Sequence, residues 1–299
     1  LSQVMNVARG IGGALDSKKV RVIVNKSTVP VGSGNWVEML VSQGVQQIQP
    51  VPARSTRSEA PRFHVVSNPE FLREGSAIAD SFYPDRIVVG SHEDEAIKLM
   101  RELYRPILSQ EFEAPDYSPR PKGLEHIPFV VTDLASAELI KYSANAFLAM
   151  KISFANEISG LCEKVGADIK QVTRGIGLDS RIGKAFLNAG IGWGGSCFQK
   201  DILALMDVAK EYHYPTRLLE ATIEVNKHQR EVVIQKLQEE LKIIKGRTIG
   251  LMGLSFKPNT DDLRDAPSLT IAHQLLKMGA HVKVYDPVSM ESCRNLHPN

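Results

Sequence analysis

The sequence predicts an α/β protein in three successive parts: a sheet region, a helical middle and a second sheet region. Three observations carry this. Short β-branched runs alternate with helical stretches over the first 132 residues, the texture of strands joined by crossover helices in a parallel sheet. From Asp133 to Gly166 the chain uses helix-forming residues throughout and has no proline. Near the end, "GRTIGLMGLSFKPNTDDLRDAPSLTIAHQLLKMGAHVKVYDP" reads strand, long loop, helix, strand. The expected parts are 1–132, 133–244 and 245–299.

Taken in order, "VRVIV" (Val20–Val24) is the first strand. The turn-rich "NKSTVPVGSG" follows it, and then the helical "NWVEMLVSQG". "FHVVS", "DRIVVG" and "PFVVT" supply further strands. Two stretches rich in proline and charge, "QQIQPVPARSTRSEAPR" and "EFEAPDYSPRPKGLEH", read as surface excursions. Asp133 is a plausible N-cap for the long helix and Gly166 its stop. About 30 residues would make it roughly 45 Å long, a spine between domains or along a subunit interface. A second long helix is expected over about Thr216 to Ile244. The chain opens without methionine on a segment that reads as mid-helix, so a piece of a longer protein is expected.

Composition bounds the function. The 299 residues, 43% of them apolar, can bury a real core, and the net charge of +2 offers no field for nucleic acid or a membrane surface. No apolar stretch approaches the roughly 20 residues of a membrane span. Cys162, Cys197 and Cys293 are too widely spaced for a disulfide framework or a zinc site. No metal is expected, and a reducing cytoplasmic setting is the default.

Three constellations carry candidate chemistry. "GIGWGG" (Gly190–Gly195) matches G-x-G-x-x-G in form, but no strand precedes it, so a dinucleotide loop is rejected. Its glycines would instead let a ligand approach the backbone and leave Cys197 accessible. With a helix expected from near Asp201, Cys197 precedes a helix N-terminus, where partial positive charge and Lys200 favour thiolate. The bland alternative is a small buried thiol. Lys141 and Asn145 lie four residues apart on the long helix, hence on one face. They are either solvated surface residues or a clamp for an oxyanion, and the apolar neighbours Leu139, Ile140, Phe147 and Leu148 suggest burial. Glu70 and Glu74, in "SNPEFLREGSAIAD", lie where a strand gives way to a helix start. They read either as ordinary first-turn glutamates or as ligand-facing carboxylates.

Five ordered runs, "NKSTVPVG", "NPEFLREGSAI", "KYSANAFLAMKISFANE", "GLDSRIGKAFLNAGIGWGGSCFQKD" and "GLSFKPNTDDLRDAPS", resemble the UDP-glucose/GDP-mannose dehydrogenase family. The Cys-Phe-Gln-Lys-Asp form points to its UDP-glucose branch. The resemblance covers the chain apart from the two proline-rich stretches. It implies a partial Rossmann-like NAD domain, a central long-helix dimerisation region and a partial Rossmann-like nucleotide-sugar domain. It also implies four-electron oxidation of UDP-glucose to UDP-glucuronate with NAD as cofactor, in a homodimer or higher oligomer.

By the same resemblance, Cys197 is the nucleophile. Lys141 and Asn145 steady the oxyanion, Asp201 serves water activation or holds that network, Glu70 does acid/base work through water, and Thr28 positions that water. Phe71, Leu72, Glu74, Lys141, Asn145, Arg181, Gly194, Phe256 and Lys257 would meet the nucleotide sugar, Arg181 from a partner subunit. Thr28, Glu74, Lys200 and Arg264 would lie near NAD. The family's opening strand and glycine-rich NAD loop have no match here. Weak NAD binding and an inactive chain are therefore expected of these 299 residues alone. Other nucleotide-sugar dehydrogenases, including GDP-mannose enzymes, share the chemistry. A catalytically silent nucleotide-sugar binder would not need Cys197, and a 6-phosphogluconate-type enzyme would not explain "GGSCFQKD".

Overall fold

The computed structural model describes residues 2–48 and 61–296; most of the first proline-rich stretch lies outside the described residues. The chain divides into two compact units, Leu1–Lys141 and Tyr142–Asn299.

The first unit runs α1 (Ser2–Ala14), β1 (Arg21–Asn25), α2 (Ser33–Ile48), β2 (Phe63–Ser67), α3 (Ala77–Phe82), β3 (Ile87–Gly90), α4 (Asp94–Leu108) and β4 (Phe129–Thr132), and ends in the first turns of α5 (Leu134–Val165). The sheet has the order β1-β2-β3-β4. β1 pairs with β2 in parallel from Arg21↔Phe63 to Asn25↔Ser67, and β3 with β4 in parallel from Ile87↔Phe129 to Gly90↔Thr132. The expected all-parallel sheet is corrected at its centre, where β2 and β3 meet antiparallel at Ser67↔Gly90. The segment joining them is long enough for a crossover but holds a helix of only six residues, where a parallel return usually runs through a full helix.

Alternation along β2 sorts the core. Val65 packs with Ala8 of α1, Leu15 just past it, and Val37, Leu40 and Val41 of α2, while its neighbour Val66 joins Ile87, Val89, Ala96 and Met100. Successive strand residues face opposite sides of a sheet, so one dipeptide feeds both layers. The α1–α2 contact is backbone on backbone. A Cβ on Gly12 would sit 2.1 Å from the Val41 carbonyl oxygen, and one on Gly44 2.2 Å from that of Arg9.

The second proline-rich stretch forms no helix or strand and is held down. Tyr83 Oη donates to the Ser118 carbonyl at 2.7 Å, and Arg120 donates to those of Gln110 and Phe112.

α5 begins as expected. Asp133 Oδ1 accepts from the Ser136 N–H at 2.8 Å, and Gly166 ends the helix in the left-handed region at φ 74°. Its buried stripe, Leu134, Ala137, Glu138, Lys141, Tyr142, Ala146 and Ala149, follows helical spacing. Two of the apolar neighbours expected to bury it, Leu139 and Phe147, face solvent instead.

The second unit continues with α6 (Ile169–Gly177), α7 (Phe198–Glu211), α8 (Arg217–Leu241), β5 (Thr248–Met252), α9 (Pro267–Lys277), β6 (His281–Tyr285) and α10 (Met290–Leu296). Ala146 and Ala149 of α5 pack on Trp193 and Ile202, with Leu219 and Ile223 of α8 around them. β5 and β6 run parallel, from Thr248↔His281 to Met252↔Tyr285. Ile271 and Leu275 of α9 bury against Ile234 of α8, which closes the expected strand–helix–strand unit.

Candidate active site

In the first unit the site residues gather where β1 and β2 end. Asn68, fully buried, fixes the loop that leaves β2. Its amide Nδ2 donates to the Val88 carbonyl at 2.7 Å, and its Oδ1 accepts from Tyr104 Oη at 2.6 Å and Lys26 Nζ at 3.2 Å. Two residues on, Glu70 Oε2 accepts the Leu72 N–H at 2.6 Å, and its Oε1 lies 3.5 Å from the buried Lys141 ammonium. The Phe71 ring has two cations over it, the Arg86 guanidinium at 3.8 Å and Lys141 Nζ at 5.3 Å.

The expected helix start at Glu70 and Glu74 is corrected: both stand in a loop, and α3 begins only at Ala77. Pro69 and Gly75, the latter at φ 83°, punctuate the segment against a helix. Side chains hold this loop instead. The Asp80 carboxylate accepts the Arg73 backbone N–H at 2.8 Å, the Ser76 hydroxyl at 3.1 Å and the Arg73 guanidinium. Burial alone would raise the Asp80 pKa; the Arg73 and Ser76 donors outweigh it and hold the pKa below the usual carboxylate range.

Thr28 lies on the loop between β1 and α2. A residue the sequence did not flag anchors that loop. Glu138, buried on α5 one turn before Lys141, accepts the N–H of Gly32 at 2.6 Å, the N–H of Gly34 at 2.8 Å and the Ser67 hydroxyl at 2.9 Å. Burial pushes its pKa up, against the pull of those donors. The signal available beforehand was an acidic residue on the buried stripe of a helix, which needs partners to be there at all.

In the second unit, Asp201 is fully buried in the first turn of α7. Its Oδ2 accepts from Asn145 Nδ2 at 2.6 Å, and Lys200 Nζ stands 3.0 Å from Oδ1. The helix starts at Phe198 rather than near Asp201, which makes Cys197 the N-cap residue itself. Its side chain is exposed, with Sγ 3.7 Å from Ser196 Oγ. A hydrogen-bonded amide–carboxylate pair thus sits one helical turn from an accessible thiol.

The glycines ahead of Cys197 allow close approach within the chain itself. A Cβ on Gly192 would meet Asn226 Oδ1 at 2.8 Å, one on Gly194 the Asp265 carbonyl oxygen at 2.2 Å, and one on Gly195 the Phe256 ring at 2.8 Å. The chain itself fills the space beside each. Gly192 and Gly195 also take φ of 106° and 86°, a region that side chains disfavour. Among the remaining expected residues, Arg181 is exposed and clamped to Asp179 by its own N–H and guanidinium. Arg264 is likewise bound to Asp262, and Lys257 Nζ lies 5.4 Å over the Phe256 ring. Leu72 is exposed on the 68–76 loop.

The loop carrying Phe256 and Lys257 is rooted by Asp286, just past β6. Its Oδ2 accepts the N–H of Leu254 and Ser255, and its Oδ1 those of Val288 and Ser289, at 2.7 to 3.3 Å. No group of metal-ligating side chains occurs among the described residues. No described helix is long and apolar enough to cross a membrane.

Residues 1–108 match the NAD binding domain of the UDP-glucose/GDP-mannose dehydrogenase family, 135–228 its central domain and 250–298 its UDP binding domain. The chain belongs to that family. It is 48% identical over 290 residues to UDP-glucose 6-dehydrogenase TuaD of Bacillus subtilis (strain 168), a match covering 97% of this chain and 56% of that one. Against UDP-glucose 6-dehydrogenase of Rhizobium meliloti (strain 1021) the identity is 45%, over 99% of this chain and 62% of the relative. The solved UDP-glucose dehydrogenase of the hyperthermophilic archaeon Pyrobaculum islandicum superposes with a TM-score of 0.83 at 38% identity, over 98% of this chain and 61% of that one. The chain therefore spans less than two thirds of the length of these relatives.

Proposed function

We propose that the full-length protein is an NAD-dependent UDP-glucose 6-dehydrogenase that makes UDP-glucuronate in two oxidations without releasing the aldehyde. The observation that supports this most is the exposed Cys197 at the α7 N-cap, one turn from the buried Asp201–Asn145 pair. The boundaries 132/133 and 244/245 divide NAD-binding, central and nucleotide-sugar parts in this reading.

Hydride can leave a carbon only if an attached oxygen pushes electrons toward it. The C6 alcohol does so once its proton is taken, a task for Glu70 through a water steadied by Thr28. A free aldehyde carries no such oxygen. Addition of the Cys197 sulfur to C6 forms a C–S bond and turns the carbonyl oxygen into an alkoxide; Lys141 and Asn145 steady that alkoxide. Its collapse expels the second hydride and leaves a thioester. Water, oriented by Asp201, then attacks the carbonyl, the C–S bond breaks, and sulfur and carboxylate part. NAD supplies the hydride acceptor in both oxidations. The buried Asn25 Nδ2, a donor without a partner among the described residues, fits a polar cofactor at the end of β1, where open sheets take their ligands. Thr28, Glu74, Lys200 and Arg264 are the residues assigned to hold it. Phe71, Leu72, Glu74, Gly194, Phe256 and Lys257 are assigned to the nucleotide sugar, with Arg181 reaching across from a partner subunit.

The test is stoichiometric. The full-length protein should form two NADH for each UDP-glucose consumed and yield UDP-glucuronate. One NADH with free aldehyde, or a preference for GDP-mannose, would overturn the reading.

A homodimer completes it. On α5, Phe147, Phe154 and Leu161 recur every seven residues, and each is more than half exposed. A seven-residue apolar ladder suits a helix of a second copy. Phe154→Glu should convert the dimer to a monomer by light scattering; an unchanged mass would remove α5 from the interface. Three unpaired cysteines, Cys162, Cys197 and Cys293, accord with a cytoplasmic location.

A further inference from the structure

The mechanism above leaves out a buried arginine of the second unit whose guanidinium bonds to three residues. Arg230, on α8, is buried. Its Nη1 donates to Asp265 Oδ1 at 2.9 Å and to Thr270 Oγ1 at 3.0 Å. Its Nη2 donates to the Trp193 carbonyl at 2.9 Å and to the Asp265 carbonyl at 3.4 Å. One guanidinium thereby holds two segments distant in sequence: residues 190–197, ending in Cys197, and residues 253–266, which carry Phe256, Lys257 and Arg264.

Neighbouring contacts act on the same two segments. Asn226, one turn earlier on α8, accepts the Trp193 N–H at 2.7 Å and donates to its carbonyl at 3.0 Å. The Gly195 N–H donates to the Arg264 carbonyl at 3.0 Å. Gly194 and Gly195 press against the Asp265 carbonyl and the Phe256 ring. Asp265 itself takes φ 49°, a left-handed turn that few residues with a side chain adopt, and Arg230 meets both its carboxylate and its carbonyl. Without that hold the turn is free to move, and Phe256 would shift relative to the segment ending in the sulfur.

We propose that Arg230 is a positioning residue that sets the register between the Cys197 segment and the Phe256–Lys257 segment. This rests on the assignment of Cys197 as nucleophile and of Phe256 and Lys257 as sugar-nucleotide contacts. A displacement on the order of 1 Å between an attacking atom and its target can cost about a hundredfold in rate, so the register is worth holding with a buried guanidinium. A lysine cannot replace it, because one ammonium lacks the planar fork that meets Trp193 and Asp265 together.

The test uses Arg230→Lys in the full-length protein, at a temperature well below its melting point. The expected result is a kcat for UDP-glucose oxidation lower by ten- to a hundredfold. Far-UV circular dichroism, and the alkylation rate of ligand-free Cys197 by iodoacetamide, should stay within about twofold of wild type. Protection of Cys197 by UDP-glucose should be weakened. A folded variant with kcat and protection within twofold of wild type would overturn the proposal, as would a loss of activity that tracks the loss of folded protein. If Arg230→Lys does not fold, Asp265→Asn carries the same test, since asparagine tolerates a left-handed φ and the carboxylate is partly exposed. There a fall in kcat of at least threefold supports the proposal and an unchanged kcat refutes it. Failure of the parent assignment would show separately, as an inactive wild type or an active Cys197→Ser variant.

Discussion

Cys197→Ser in the full-length protein should reduce the formation of UDP-glucuronate by about a thousandfold or more, the order seen when a catalytic nucleophile is removed. The fold should survive, because the side chain is exposed and makes no cap hydrogen bond. What is lost is the second oxidation. A serine hydroxyl at this position is a far weaker nucleophile than a thiolate near neutral pH, and an ester formed through it is a poorer substrate for water than a thioester. NADH measured in a single turnover should therefore fall from two equivalents to one or fewer. Two equivalents at wild-type rate would end the thioester mechanism outright.

The second large effect concerns stability. Asp286→Ala should destabilise the second unit by about 3–5 kcal/mol, because four backbone N–H groups lose a buried, charged acceptor at once. The carboxylate is buried, which by itself would raise its pKa; the N–H groups of Leu254, Ser289, Val288 and Ser255 overcome this and hold it well below the usual carboxylate range. The sign follows from linkage. A depressed folded-state pKa means that the unfolded chain binds the proton more readily. The contribution is therefore complete above the unfolded value of about 4 and lost progressively as the pH falls below it. Urea titrations of wild type and Asp286→Ala should differ most near neutral pH and converge in acid. A gap undiminished between neutral pH and pH 2 would remove the ionised carboxylate as its cause.

Much of the fold was legible because its signals are local. "VRVIV" and "FHVVS" became β1 and β2 within a residue, and Asp133 and Gly166 bracketed α5 through capping chemistry that needs no tertiary information. The antiparallel step at Ser67 and Gly90 was not legible, since strand direction depends on where a connection lands. Nor was the loop at Glu70 and Glu74, where "EFLREGSAIAD" has helical composition but Arg73, Ser76 and Asp80 close on one another first. The candidate residues were identified by motif; their supports were not. Glu138, Arg230 and Asp286 read as ordinary charged residues until burial shows what each one holds, and burial follows from packing rather than from neighbours in sequence. The glycines before Cys197 were legible as sites of close approach; the Asn226, Asp265 and Phe256 neighbours that the fold places beside them were not.

The spacing between Lys141 and Glu70 has a mechanical meaning. At 3.5 Å the ammonium and carboxylate are farther apart than a tight charged hydrogen bond allows. An arriving anionic oxygen can take the ammonium without breaking a strong grip. In the proposed reaction, the oxygen that takes the ammonium leaves the Glu70 carboxylate free to meet its assigned water. Under that proposal, oxyanion support and the freeing of Glu70 would be two ends of a single lever, thrown by whatever oxygen reaches Lys141.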